Sequence, residues 1–188
     1  MSQSNEQNPA VPSRNKIVLI QGSLFPDSKT AKIMEIIEHS LKHRNIETQT
    51  IDLRKINMEF NDGRRIEQYN SDMQNVYKLL KEAQAYVIGM PVYRYSMSGP
   101  LKNFLEIVGE AMSNKFAGLL LVSEKVKSYL AANELMKIMS YELNITTVPP
   151  IVHVHEDVFD GNGMLLPNIK EKIEIMIQRL IAFINAAS

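Results

Sequence analysis

Two loops carry the side chains of this chain that could do chemistry. Residues 22–30, GSLFPDSKT, join an apolar run to a helical pattern, and Ser23, Ser28 and Thr30 bring hydroxyls there, Lys29 a cation and Phe25 an aromatic ring. Backbone N–H groups at a helix start, backed by the positive end of the helix dipole, attract an anion, and the hydroxyls add donors, so the loop can cradle a phosphate. The same residues suit a plainer task, in which Asp27, Ser28 or Thr30 caps the helix. The spacing is not that of a nucleotide-binding Gly-x4-Gly-Lys-Ser/Thr loop. Residues 91–98, PVYRYSMS, follow a second apolar run, and Pro91, which lacks an N–H, is expected to end that strand at Gly89. Val92, Tyr93, Arg94 and Ser96 then offer the mixture of aromatic and polar groups that suits a flat ring with a polar edge. A third loop, from Ser123 to Lys127, contains no glycine. His153 and His155 alternate beside Glu156 and Asp157; they read either as a metal pair or as an exposed polar strand face, and we assign no metal ligand.

The elements that must position these loops alternate along the chain. Apolar runs at 16–21, 85–89 and 116–122 read as strands buried on both faces, whereas 46–52 and 148–155 carry polar residues and read as edges. Between them the 3.6-residue spacing predicts helices over 28–44, 71–83, about 99–113 and 128–143, with a closing helix over 167–186. Ser71 with Gln74 reads as a capping box, and Gly99 with Pro100 as the N-cap and first position of the third helix. Five βα alternations predict a parallel sheet, and placing the two polar strands outside gives the order 2-1-3-4-5. In that order the loops at 22–30 and 90–98 meet at the switch point between strands one and three, outside the carboxyl ends of the strands. The polar segment 57–70 can wall the same crevice.

Composition excludes much else. Lys plus Arg and Asp plus Glu number 21 each, so no net field draws in nucleic acid or an anionic membrane. The chain has no cysteine, which rules out thiol nucleophiles, thiolate metal sites and disulfides, and redox chemistry would need a cofactor. No apolar stretch approaches the ~20 residues of a membrane span and residues 1–14 lack a signal peptide's apolar core, so a cytoplasmic location is expected. Residues 1–14, rich in Ser, Asn, Gln and Pro, read as a flexible tail before a single domain at 15–188. The closing helix carries Ile175, Ile181 and Phe183 beyond its main apolar stripe, which suggests a homodimer or homotetramer.

Pro91, Tyr93, Ser96, Gly99, Leu101, Lys102 and Asn103, taken with the loop at 22–30, resemble the NAD(P)H-dependent FMN reductase family of flavodoxin-like proteins. Such proteins carry a Gly-Ser-Leu/Pro-Arg phosphate loop after the first strand, and Pro-x-Tyr followed by Gly-x-Leu-Lys-Asn after the third. The resemblance implies a flavodoxin-like three-layer αβα sandwich with a five-stranded parallel sheet, binding FMN and using NADPH or NADH. It implies the FMN phosphate at Ser23, Phe25, Ser28, Lys29 and Thr30, and the ring over Pro91, Val92, Tyr93, Arg94 and Ser96, with Ser123 in the third loop. Two residues depart from the pattern: Phe25 stands where an Arg is usual, and Arg94 where an Asn is common. Tyr93 either packs on the ring or is an ordinary loop aromatic, and Arg94 either meets a nicotinamide phosphate or is solvated. Lys102 and Asn103 read as helix-surface or subunit-contact residues. The implied activity is hydride transfer from a nicotinamide through flavin to a small-molecule acceptor such as free flavin or a quinone, with no catalytic side chain. The alternative is a flavodoxin-like electron carrier or flavin-dependent sensor. A phosphate-receiver domain shares the strand order but fails on residues, since strand one ends in Gln21 and Gly22 rather than paired acids.

Overall fold

In the first strand, β1 (Lys16–Gln21), Ile17 and Leu19 pack into one helical layer and Val18 and Ile20 into the other. That double burial explains its unbroken apolar run. The computed structural model describes residues 15–155 and 158–187; the expected tail at 1–14 lies outside the described residues. After α1 (Lys29–His43), strand β2 (Glu47–Asp52) pairs parallel with β1 on one side, and after α2 (Ser71–Glu82), strand β3 (Ala85–Tyr93) pairs with it on the other. The chain then turns back through the two-residue β4 (Ser96–Met97), enters α3 (Gly99–Val108) and returns as β5 (Phe116–Ser123) beside β3. Helix α4 (Ala132–Lys137) leads to the last strand position, which is filled by two pieces, β6 (Thr146–Thr147) and β7 (Val152–His155), both parallel to β5; α5 (Pro167–Ala187) closes the chain.

The order is therefore the expected 2-1-3-4-5, with seven strands rather than five because the fifth position is divided and β4 is added. Pro149 and Pro150 cause the division, since neither has an N–H to offer β5. Helices α1 and α5 cover one face of the sheet, and α2, α3 and α4 the other.

Several boundaries differ from those the pattern predicts. Strand β3 does not stop at Gly89 but runs through Pro91 to Tyr93. Gly89 turns its carbonyl toward β1, accepting from Gly22 N at 2.9 Å, and Pro91, two residues on, turns the same way after β1 has ended. The missing N–H therefore costs no ladder bond. Asn70 rather than Ser71 caps α2, accepting from Met73 N at 3.1 Å, and Ser98 rather than Gly99 caps α3, accepting from Leu101 N at 3.3 Å. Helix α3 tightens to a 3-10 turn at Gly109–Met112. The stretch expected as one helix over 128–143 is a 3-10 segment (Val126–Ala131), then α4, then a π turn (Ile138–Glu142). Its buried residues, Leu135, Met139 and Leu143, recur every four positions, which drifts around a 3.6-residue helix; a wider turn brings them back to one face. The surplus apolar residues of α5 are partly used within the chain: Ile181 packs on the core, and Phe183 meets Phe116 edge to face at 5.6 Å.

Candidate functional site

The first loop is held from beneath by Gln21, which the sequence reading used only as the end of strand one. Its side chain is 1% exposed; Nε2 donates to Ser23 O at 2.8 Å and Asp52 Oδ1 at 3.1 Å, while Oε1 accepts from Ser23 N. A carboxamide here mimics a neighbouring strand and fixes the chain where β1 ends. Ser98 Oγ ties in the second loop by donating to Gly22 O at 2.8 Å. Two glycines permit this closeness. A Cβ on Gly22 would lie 2.9 Å from Gly89 O, and one on Gly89 would lie 2.8 Å from Thr30 Cγ2 and 2.9 Å from Met34.

On that base Ser23 and Ser28 are 2% and 4% exposed. Ser28 caps α1, its Oγ accepting from Ala31 N at 3.2 Å, and Ser23 Oγ accepts from Phe25 N at 3.3 Å. As an acceptor each hydroxyl keeps its own proton to donate. Thr30 is buried with its methyl group against Gly89, while Leu24, Phe25 and Lys29 are exposed. A cation does reach this loop, from a residue the sequence did not single out. Arg54 donates Nη1 to Pro26 O at 3.0 Å, and Nε and Nη2 to the Asp52 carboxylate. Burial opposes ionisation of Asp52, but the hydrogen bonds from Arg54 outweigh it and hold the carboxyl below its ordinary range.

The second loop is a tight hairpin, in which Val92 pairs with Met97 and Tyr93 with Ser96. Arg94 and Tyr95 sit at φ 53° and 64°, the two left-handed positions of a type I′ turn. Neither residue favours that region, so the turn carries strain that the flanking pairs must hold. It presents Tyr93 and Tyr95 to solvent, whereas Pro91 is buried and Val92 packs on the core, so both offer mainly backbone to a ligand. Ser96 Oγ donates to the Glu134 carboxylate on α4.

In the third loop Ser123 Oγ lies 3.0 Å from Lys125 O and 2.8 Å from His153 Nε2. The carbonyl can only accept, so it takes the hydroxyl's single proton and His153 Nε2 carries the hydrogen of the second bond. Burial, then the charges of His155 and Lys172, push His153 below the ordinary imidazole range. His153 and His155 lie side by side at 5.4 Å between ring centroids.

The structure thus brings the predicted residues of all three loops to the carboxyl ends of adjacent strands β1, β3 and β5. Large exposed apolar side chains gather at the same edge: Leu24, Phe25, Tyr93 and Tyr95 among them, with Phe60 in the segment after β2 and Tyr129 after β5. Between the first loop, residues 53–60 and the start of α3 lies an open cleft of about 700 Å³. Asn103 is part of this wall, its side chain bonding the backbone on both sides of Phe60. Fit to FMN rests on two buried hydroxyls with protons to spare beside the N-terminus of a 15-residue helix, and on an aromatic hairpin one strand away.

Residues 15–158 match the family described as NADPH-dependent FMN reductase, and the chain belongs to that family. It is 29% identical over 162 residues to an NAD(P)H-dependent FAD/FMN reductase of Geobacillus thermodenitrificans, a match covering 84% of this chain and 87% of the relative. Among solved structures it is similar to an NADH:FMN oxidoreductase in its apo form, with a TM-score of 0.72 at 18% identity over 88% of each chain. It is also similar to a flavodoxin from the domain Archaea, with a TM-score of 0.62 at 16% identity over 89% of this chain and 97% of that one. These structural likenesses establish a flavodoxin-like fold.

Proposed function

We propose that this member of the FMN reductase family holds FMN across its three loops and passes electrons from NADPH or NADH to a small-molecule acceptor such as free flavin or a quinone. The observation that carries the reading is the pair of buried hydroxyls, Ser23 and Ser28, at the start of α1 in the loop that Ser98 joins to the hairpin. Both donate to the phosphate, and the positive end of the α1 dipole adds to the attraction. Lys29 and Arg54 contribute positive potential nearby, in place of the cation that Phe25 omits. The backbone of 91–96 meets the polar edge of the ring, Tyr93 and Tyr95 give it an apolar wall, and the third loop borders it at Ser123. Bound FMN would supply hydride transfer between the nicotinamide and the acceptor, while the protein supplies position, electrostatics and exclusion of side reactions. No side-chain nucleophile is required. The exposed apolar side chains around the crevice support a homodimer or homotetramer with the site near a subunit boundary.

Titrating FMN into the purified chain and following its fluorescence tests the reading; saturable binding of about one FMN per subunit, with steady NAD(P)H oxidation when an acceptor is added, is expected. Failure of a folded protein to bind FMN refutes it. Binding without turnover would make the chain an electron carrier or sensor instead.

A further inference from the structure

The hydroxyls at the carboxyl edge of the sheet are set with opposite polarity. Ser23 and Ser28 accept from backbone N–H groups and keep their protons to donate, whereas Ser96 donates its only proton to the Glu134 carboxylate and keeps its lone pairs. Glu134 comes from a different element, α4, and stands on its exposed flank between Ala131 and Leu135, which are both fully buried and anchor that part of the chain. The first loop therefore presents hydrogens and the second presents oxygen.

The hairpin turns that oxygen outward. Tyr93 and Ser96 oppose each other directly across it and share one face, because opposed residues of an antiparallel pair point the same way. Val92 and Met97 form the next pair, point the other way and pack on the core. Tyr93 is 49% exposed, so the outward face carries an open aromatic ring beside a hydroxyl whose lone pairs a carboxylate has enriched. An acceptor polarised in this way favours a ligand N–H and repels a carbonyl oxygen placed against it.

FMN has a group for each loop. Its phosphate is an anion for the donors of the first, and its oxidised ring carries a single N–H, at N3 between two carbonyls. We infer that Glu134 orients the ring: by holding the Ser96 proton it makes Ser96 an acceptor for N3–H, and so selects a ring that carries an imide hydrogen. Glu134 acts through Ser96 and is a positioning residue. The inference rests on the reading above in which 91–96 meets the polar edge of the ring.

The test is fluorescence titration of the full chain with FMN and with 3-methyl-FMN, which keeps the phosphate and the ring but carries a methyl group in place of the N3 hydrogen. The wild-type chain should bind FMN about ten- to a hundredfold tighter, the loss expected for one hydrogen bond to an acceptor backed by a charge. Ser96→Ala, which removes the acceptor, should abolish most of that preference. Glu134→Gln keeps the size of the side chain and removes its charge, so the preference should fall several-fold, while melting of the ligand-free chain stays almost unchanged because Glu134 is exposed. An unchanged preference in Glu134→Gln overturns the inference, since a methyl group that merely collides with the hairpin collides equally in both chains. So does an equal weakening of both ligands, which would make Glu134 a support for the shape of the hairpin. In either case FMN still binds and the reductase reading stands; a folded wild-type chain that binds neither flavin removes that reading and this inference together.

Discussion

Ser28 is asked to do two things at once, and they can be separated by choice of substitution. As the N-cap of α1 it accepts from Ala31 N at 3.2 Å; as a phosphate ligand it donates its remaining proton. Ala removes both roles. Gly removes the hydroxyl but is nearly as good an N-cap, costing only a few tenths of a kcal/mol against about 1 kcal/mol for Ala. The backbone at Ser28, φ −75° and ψ 119°, is open to any residue, so neither change adds strain. A hydrogen bond to a charged phosphate is worth roughly 1.5 to 3 kcal/mol, or about one to two decades in dissociation constant. Ser28→Gly should therefore weaken FMN by one to two decades and leave riboflavin, which lacks the phosphate, unaffected, with melting almost unchanged. Ser28→Ala should show the same loss of FMN and a fall in melting temperature of about 2 to 4 °C. The assays are fluorescence titration with FMN and with riboflavin, and thermal melting of the ligand-free chain. If the ratio of FMN to riboflavin affinity stays the same in Ser28→Gly, Ser28 is only a cap and the proposed cradle is wrong.

Gly89→Ala drives a Cβ to 2.8 Å from Thr30 Cγ2 and 2.9 Å from Met34, and should cost about 1 to 3 kcal/mol in urea unfolding; Thr30→Ser, which deletes the clashing methyl, should recover part of it. Replacing Arg94-Tyr95 by Asn-Gly gives the type I′ turn residues that tolerate φ of 53° and 64°, and should raise stability by about 1 kcal/mol or more; a fall would mean that the two side chains make contacts that outweigh the strain. His153 has its folded-state pKa pushed down by burial, so the unfolded chain takes up the proton first: wild type should lose stability as pH falls below the ordinary histidine value of about 6.5, relative to His153→Gln, and chemical denaturation at pH 8 and pH 5.5 would expose parallel behaviour as a refutation.

What could be seen in the sequence follows how local the physics is. Strands β1, β3 and β5 are buried on both faces, so each residue reports the same environment and the runs are unmistakable. The loops at 22–30 and 91–98 could be read because the chain order of a parallel sheet forces them together. The caps of α2 and α3 slipped by one residue because Asn70 and Ser71, or Ser98 and Gly99, are adjacent candidates of similar merit. The hairpin at 93–96 could not be seen, since Arg94 and Tyr95 carry no turn preference and the pairing that imposes it is tertiary. The clamping roles of Gln21, Arg54 and Asn103, the last read only as a helix-surface or subunit-contact residue, were missed for a related reason. Each clamps backbone, and for Arg54 and Asn103 the partner lies 28 and 42 residues away, a distance across which one sequence gives no signal.

The two prolines that divide the last strand position have a consequence at the scale of a solution of many molecules. An unbroken edge strand is a ladder of free donors and acceptors onto which a second molecule can lay its own strand, and so begin a fibre. Here the edge comes as pieces of two and four residues, with Pro149 and Pro150 between them offering no N–H at all. A visiting strand would find its bonds interrupted before a stable register formed. The interruption that spoils the regularity of the sheet also makes that margin a poor template, so a protein that must sit crowded among its own copies has one fewer way to precipitate.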